Sequence, residues 1–108
     1  MKPRDLIQGM LDLLILRTLR LEAQHGWGIA ERIKRSSNDV LFVQQGSLYP
    51  ALHRLEARGW IQSAWGSSDH GRRAKFYTLT PRGAARLERE QQDWERLSSA
   101  IALVLQQV

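Results

Sequence analysis

Apolar and polar positions alternate along this chain in a few distinct rhythms, and each rhythm predicts an element. From about Arg4 to Leu21 the sequence is apolar nearly all the way round, with Leu6, Ile7, Met10, Leu11, Leu13, Leu14, Ile15, Leu16, Leu19 and Leu21 broken by few polar positions. A helix with that pattern is covered on more than one side, so one side is expected to pack on its own chain and another on a second subunit. Glu22-Ala23-Gln24-His25-Gly26 reads as a polar turn, followed by a short helix from about Trp27 to Arg35 with Gly26, Ile29, Ala30 and Ile33 in one stripe. Ser36-Ser37-Asn38-Asp39 ends it, and Val40-Leu41-Phe42-Val43 is a β-prone run expected to pair with a later hairpin.

The most sharply patterned stretch follows. Leu48, Ala51, Leu52 and Leu55 recur at the spacing of a helical stripe and predict a core-facing side for a helix over residues 47–58. The other side carries Pro50, His53, Arg54 and Ala57, with Ser47 and Tyr49 on its flanks. Gly46 or Ser47 is placed to cap it, Pro50 falls in or beside the first turn, and Gly59 is a stop signal. Trp60 to Trp65 and Ala74 to Leu79 read as strands joined by a basic, flexible tip over residues 66–73. Thr80-Pro81 is a cap followed by proline at the first helical position, opening a last helix toward the C-terminus. In that helix Trp94, Leu97, Ile101, Val104 and Val108 recur at spacings of three and four. Such a seam, of about two heptads, is short for a free coiled coil; it suits packing against the first helix and against its counterpart in a second chain.

The predicted fold class is mainly α with a small β-hairpin: a winged helix-turn-helix over residues 1–79, then a C-terminal dimerisation helix over residues 80–108. The connector before the 47–58 helix is longer than the turn of about three to four residues in a minimal helix-turn-helix, which favours the winged variety. At 108 residues, a core this small benefits from association.

Charge adds a partner class. The formal net charge is +5, distributed as +2 over residues 1–46, +3 over 47–79 and 0 over 80–108. A basic balance concentrated ahead of the last helix suits a polyanion. Arg72, Arg73 and Lys75 are expected to cluster at the hairpin tip, at the distance from the 47–58 helix that a wing needs to straddle a phosphate backbone. In this reading Ser47, Tyr49, His53 and Arg54 face the major groove of double-stranded DNA. Arg54 is the candidate for a guanine, because guanidinium can donate twice to O6 and N7.

Other chemistry is not encoded. There is no cysteine, hence no disulfide, thiolate metal site or thiol nucleophile, and a cytoplasmic location is the compatible expectation. His25, His53 and His70 lie on separate elements without ligand spacing, so no metal site is expected. Gly26-Trp27-Gly28 follows a turn rather than a strand and lacks the third glycine of a dinucleotide loop. No nucleophile elbow or paired-carboxylate site occurs, so neither an enzyme nor a cofactor is expected. Asp5 and Asp12 interrupt the N-terminal apolar run, and neither a signal peptide nor a membrane span is predicted.

The stretch Gln45-Gly46-Ser47-Leu48-Tyr49-Pro50-Ala51-Leu52-His53-Arg54-Leu55-Glu56 resembles the third-helix signature of the PadR family of bacterial transcriptional regulators. Four further segments are similar to that family in the same order: Leu11 to Leu16, His25-Gly26-Trp27-Gly28-Ile29, Gly71-Arg72-Arg73-Ala74-Lys75-Phe76-Tyr77, and Leu79-Thr80-Pro81-Arg82-Gly83. The similarity covers nearly the whole chain and is to the short form with a single C-terminal helix. It implies a homodimeric winged helix-turn-helix repressor, and adds Gln45, Gly46, Leu48 and Pro50 to the DNA-binding element; Leu48 is read here as core and Pro50 as a shaping residue. Of the four tryptophans, Trp27, Trp60 and Trp65 are read as core or edge packing. Trp94 lies on the seam formed with Leu97, Ile101 and Val104. In multidrug-responsive relatives an aromatic at the matching place sandwiches flat ligands, which implies a small planar effector there; packing of the interface is the alternative. Two other function classes stay open: a protein-interaction module and a small-molecule carrier on the same scaffold.

Overall fold

A computed structural model describes residues 3–107, with side chains from residue 9 onward. Leu6, Ile7 and Val108, assigned above to the first helix and the seam, fall outside the described side chains. The elements are α1 (Pro3–Leu21), β1 (Gln24–His25), α2 (Gly26–Ser36), α3 (Gln45–Ala57), β2 (Ile61–Ser67), β3 (Arg73–Leu79) and α4 (Pro81–Gln106). The three strands form one antiparallel sheet in the order β1-β3-β2. This is the winged helix-turn-helix arrangement with a long helix appended.

One hydrophobic core joins the helices to the sheet. It contains Leu11, Ile15, Leu16 and Leu19 of α1, Ile29 and Ile33 of α2, and Leu48, Ala51, Leu52 and Leu55 of α3. Ile61 and Tyr77 close it from the sheet and Leu87 from α4. Leu13 and Leu14 also pack against this cluster, so α1 is covered over much of its circumference. Burial of apolar area at about 25 cal/mol per Å² is what holds the layers together.

The predicted pairing of Val40-Leu41-Phe42-Val43 with the wing does not occur: the third strand is Gln24–His25, which pairs with Tyr77 and Phe76 on the side of β3 away from β2. The stretch read as a polar turn supplies the strand instead. His25 N–H bonds to the Gln24 side chain at 3.1 Å, and His25 Nδ1 accepts from Gly28 N–H at 3.0 Å, which makes the last strand residue the N-cap of α2. At the far end of α2, Asn38 and Asp39 both adopt left-handed backbone, with φ of 54° and 65°, a conformation that asparagine and aspartate tolerate best after glycine. That turn sends the connector across the body without a ladder, with Leu41 and Val43 against the core and Val40 and Phe42 exposed.

The helix over residues 47–58 begins earlier than its glycine and serine suggest. Gln44 is the N-cap, and its carbonyl accepts from the N–H groups of both Ser47 and Leu48 at 3.0 Å. Pro50 therefore sits inside the helix rather than in its first turn. Its missing N–H leaves the Gly46 carbonyl without the usual helical donor, on an exposed face where water can serve. The C-terminal stop behaves as the sequence predicts. Gly59 has φ of 76°, its N–H bonds to Glu56 and that of Trp60 to Leu55, the two bonds of a Schellman motif.

The start of α4 is docked on that same turn. Thr80 Oγ1 accepts from Gly83 N–H at 3.0 Å and donates to the Gly59 carbonyl at 2.7 Å, while Thr80 N–H bonds to the Trp60 carbonyl at 3.1 Å. Beyond Glu90 the helix leaves the body, and Leu97, Ile101, Leu103, Val104 and Leu105 are all exposed. The 26 residues of α4 span about 39 Å at a rise of about 1.5 Å per residue, and this gives the molecule its elongated shape of 56 × 29 × 24 Å.

Candidate nucleic-acid interface

Because Leu48, Ala51, Leu52 and Leu55 are buried, α3 must turn its other side outward. Gln45, Gly46, Ser47, Tyr49, Pro50 and His53 are all exposed there. They present amide, hydroxyl, phenol and imidazole groups, with bare backbone at Gly46, over which nothing lies within 4 Å. The Tyr49 ring leans on the start of α2, where a Cβ at Gly26 would fall 2.8 Å from its hydroxyl. Glycine at 26 is thus what lets that ring lie flat beside the helix.

Arg54, the guanine candidate on this helix, is engaged within the chain. Its Nη2 donates to Asp12 Oδ1 of α1 at 2.6 Å, with side-chain exposures of 33% and 19%. On the helix wheel Arg54 lies toward the α1 side of the outward face, which explains how it reaches back. Burial pushes the Asp12 carboxyl above the ordinary aspartate range, and the Arg54 guanidinium, with a smaller effect from Arg58, pulls against that shift. The raised value shows that desolvation outweighs the ion pair at this half-buried position.

The wing hairpin is longer in its strands and tighter in its tip than predicted. β2 and β3 pair from Ile61↔Leu79 to Ser67↔Arg73. Ser68 N–H bonds to the Arg72 carbonyl at 2.8 Å and Gly71, with φ of 73°, to Ser68 at 2.9 Å. Arg72 and Arg73 are exposed at the tip, as expected. Lys75 does not join them. Two residues further along β3, on the face that packs toward α3, its Nζ lies 3.7 Å from Glu56 Oε1, and Glu56 also accepts a hydrogen bond from Ser63 Oγ. Glu56 thus ties the wing to α3. Burial, then the Glu56 charge and Tyr49, push the neighbouring Tyr77 phenol upward.

Two of the tryptophans, Trp27 and Trp65, depart from their packing assignment, whereas Trp60 packs against the core as expected. Trp65 is 61% exposed on the wing with the Arg73 guanidinium 4.7 Å from its ring, and Trp27 is 57% exposed. Trp60 is half-buried, with Arg58 at 5.1 Å and Arg86 at 4.9 Å from its ring. Arg86 is held in turn by Glu90. Trp94 is half-buried on α4, while Leu97, Ile101 and Val104 are exposed, and Ala100, Ile101, Val104 and Leu105 line a shallow apolar depression. Sequence reasoning missed Asp12, Glu56 and the strand at Gln24–His25. A carboxylate in the middle of the apolar first helix, at Asp12, was the available signal.

Among the described residues no helix is long and apolar enough to cross a membrane. Residues 15–89 match the family described as "Transcriptional regulator PadR-like family". A transcriptional regulator of Mycobacterium tuberculosis is 32% identical over 98 residues, covering 91% of this chain and 88% of that one. A solved transcriptional regulator from Clostridium thermocellum superposes with a TM-score of 0.82 at 28% identity, over 91% of this chain and 95% of that one. A PadR-like transcriptional regulator from Bacillus cereus superposes with a TM-score of 0.81 at 26% identity, over 96% and 99%. With its signature helix, wing and appended α4 arranged as in these proteins, the chain belongs to the PadR-like family of transcriptional regulators.

Proposed function

We propose that the protein is a transcriptional repressor that binds a double-stranded DNA operator as a homodimer. The observation that carries this reading is the pairing of an exposed, uncharged polar face on α3 with two exposed arginines at the tip of the adjoining wing. Gln45, Gly46, Ser47, Tyr49, Pro50 and His53 meet the major groove, where base edges are read, while Arg72 and Arg73 take phosphates or a minor-groove edge and set the register. Lys75, tied to Glu56, supports the wing and lends its charge from behind the tip.

Residues 1–79 serve DNA binding and residues 80–108 join the subunits. The exposure of Leu97, Ile101, Val104 and Leu105 on a helix that leaves the body supports this division, since an apolar stripe of that kind is covered in a stable protein. Two-fold symmetry then sets two α3 helices about one DNA turn, near 34 Å, apart. Trp94, at the inner end of the stripe, is the ring on which a flat apolar effector stacks between subunits. Such a ligand weakens DNA binding only by favouring a spacing that does not match the half-sites.

The test is selection of bound duplexes from a random library, followed by mobility shifts over a salt series. A selected site of two-fold symmetry with strongly salt-dependent affinity is expected. No enrichment over random DNA would sink the DNA-binding reading and favour a protein-interaction module. Planar dyes that quench tryptophan fluorescence in the parent and not in Trp94→Ala are expected for the effector site; equal binding by the variant would return Trp94 to packing alone.

A further inference from the structure

We propose that Asp12 is a positioning residue for DNA recognition: by holding the Arg54 guanidinium on α1, it withholds from the major groove the one arginine on the body of the recognition helix, so that α3 reads bases with uncharged groups only. This rests on the DNA-binding reading above and adds a residue from outside the recognition helix to it.

The geometry supplies the argument. The bond between Arg54 Nη2 and Asp12 Oδ1 is a short charge-assisted one of 2.6 Å joining α1 to α3, and Asp12 is the more enclosed partner, with 19% of its side chain exposed. If Arg54 swung into the groove it would leave a poorly hydrated carboxylate facing Glu90, whose charge already acts unfavourably on it. Among the described residues the other cation acting on Asp12 is Arg58, which faces the Trp60 ring at 5.1 Å. A base contact by Arg54 would therefore have to exceed what its withdrawal strands. The rest of α3 is consistent with a face kept free of net charge. Glu56, its one acidic residue, is matched by Lys75, and the outward positions from Gln45 to His53 carry no formal charge with histidine neutral. The cations that attract phosphate sit on the wing tip instead, so attraction to any duplex and discrimination among duplexes are carried by different elements.

The prediction is tested by a double-mutant cycle on the full-length protein, read by salt-dependent binding to random duplex and by the sequence selected from a random library. Asp12→Ala frees Arg54. The slope of log affinity against log salt should steepen by about 0.9 for each additional phosphate that a subunit neutralises, with affinity for random duplex rising and preference for the selected site falling. Asp12→Glu, which keeps a carboxylate within reach, should behave as the parent. Adding Arg54→Gln to Asp12→Ala should restore the parental slope, and Arg54→Gln alone should select the parental sequence. Circular dichroism melts establish that each variant is folded at the assay temperature, and the Arg54→Gln selection stands by itself should Asp12→Ala fail to fold. An unchanged slope in Asp12→Ala, a change that persists with Arg54→Gln added, or loss of one base preference in Arg54→Gln would each overturn the proposal. Absence of any DNA binding by the parent would instead bring down the reading on which it rests.

Discussion

Gly83→Ala tests how α4 is attached to the rest of the chain. Glycine inside a helix costs roughly 1 kcal/mol relative to alanine, so propensity alone predicts that the substitution stabilises the protein. The structure predicts the reverse. A Cβ at residue 83 would lie 1.9 Å from the Trp60 carbonyl oxygen and 2.8 Å from Leu79 Cδ1, the first more than an ångström inside ordinary van der Waals distance. That carbonyl cannot yield freely, because it accepts from Thr80 N–H at 3.1 Å and follows the Schellman turn that ends α3. Relief requires α4 to slide away from the turn, straining the Thr80 cap on Gly83 and the Thr80 bond to Gly59. Overpacking of this kind typically costs about 1–3 kcal/mol, and a weakened cap adds about 1 kcal/mol. After the propensity gain the net loss is about 1–3 kcal/mol, which for a domain of this size lowers Tm by roughly 5–15 °C. Far-UV circular dichroism melts at one fixed protein concentration measure it, since association would make Tm concentration-dependent. A variant as stable as the parent, or more so, would refute the argument that backbone approach at Trp60 dictates the glycine.

Three further outcomes follow from the interface and from α4. Arg72→Ala with Arg73→Ala should weaken binding to all duplexes and flatten the salt dependence by about 0.9 for each phosphate that a subunit no longer neutralises; an untouched slope would remove the wing from the interface. Leu97→Asp with Ile101→Asp places charges on the exposed α4 stripe, so light scattering should report monomer in place of dimer, and an unaltered folded dimer would count against that seam. Asp12 carries a pH signature. Because burial holds its carboxyl above the ordinary value, the native state binds its proton more tightly than the unfolded chain does, and stability falls as pH rises from about 3.9 through the raised value. Relative to Asp12→Asn, the parent should lose stability across that window in denaturant titrations, and parallel profiles would contradict the stated balance between burial and Arg54.

Much of this architecture is written in local pattern. The buried stripe of α3, the glycine stop at Gly59, the Thr80-Pro81 opening of α4 and the existence of the hairpin follow from periodicity and from the stereochemistry of single residues, which act over a few neighbours and are the same in any fold. The outward face at Gln45 to His53 follows as well, because fixing which side of a helix is apolar also fixes which side is not. What tertiary structure alone decided are the matters of competition between distant segments. The third strand is Gln24–His25 rather than the more β-prone Val40 to Val43, since the left-handed pair at Asn38 and Asp39 aims the latter away from the sheet while the approach to α2 lays Gln24 and His25 beside Tyr77 and Phe76. Lys75 shares its strand face with Arg73 but sits two residues further from the tip, where it comes within reach of Glu56 on α3, a proximity set by how the hairpin lies against that helix. Arg54 was legible as a cation on the outward face of α3, but its bond to Asp12 depends on how closely α1 crosses α3, a separation of 42 positions along the chain that no local rhythm encodes.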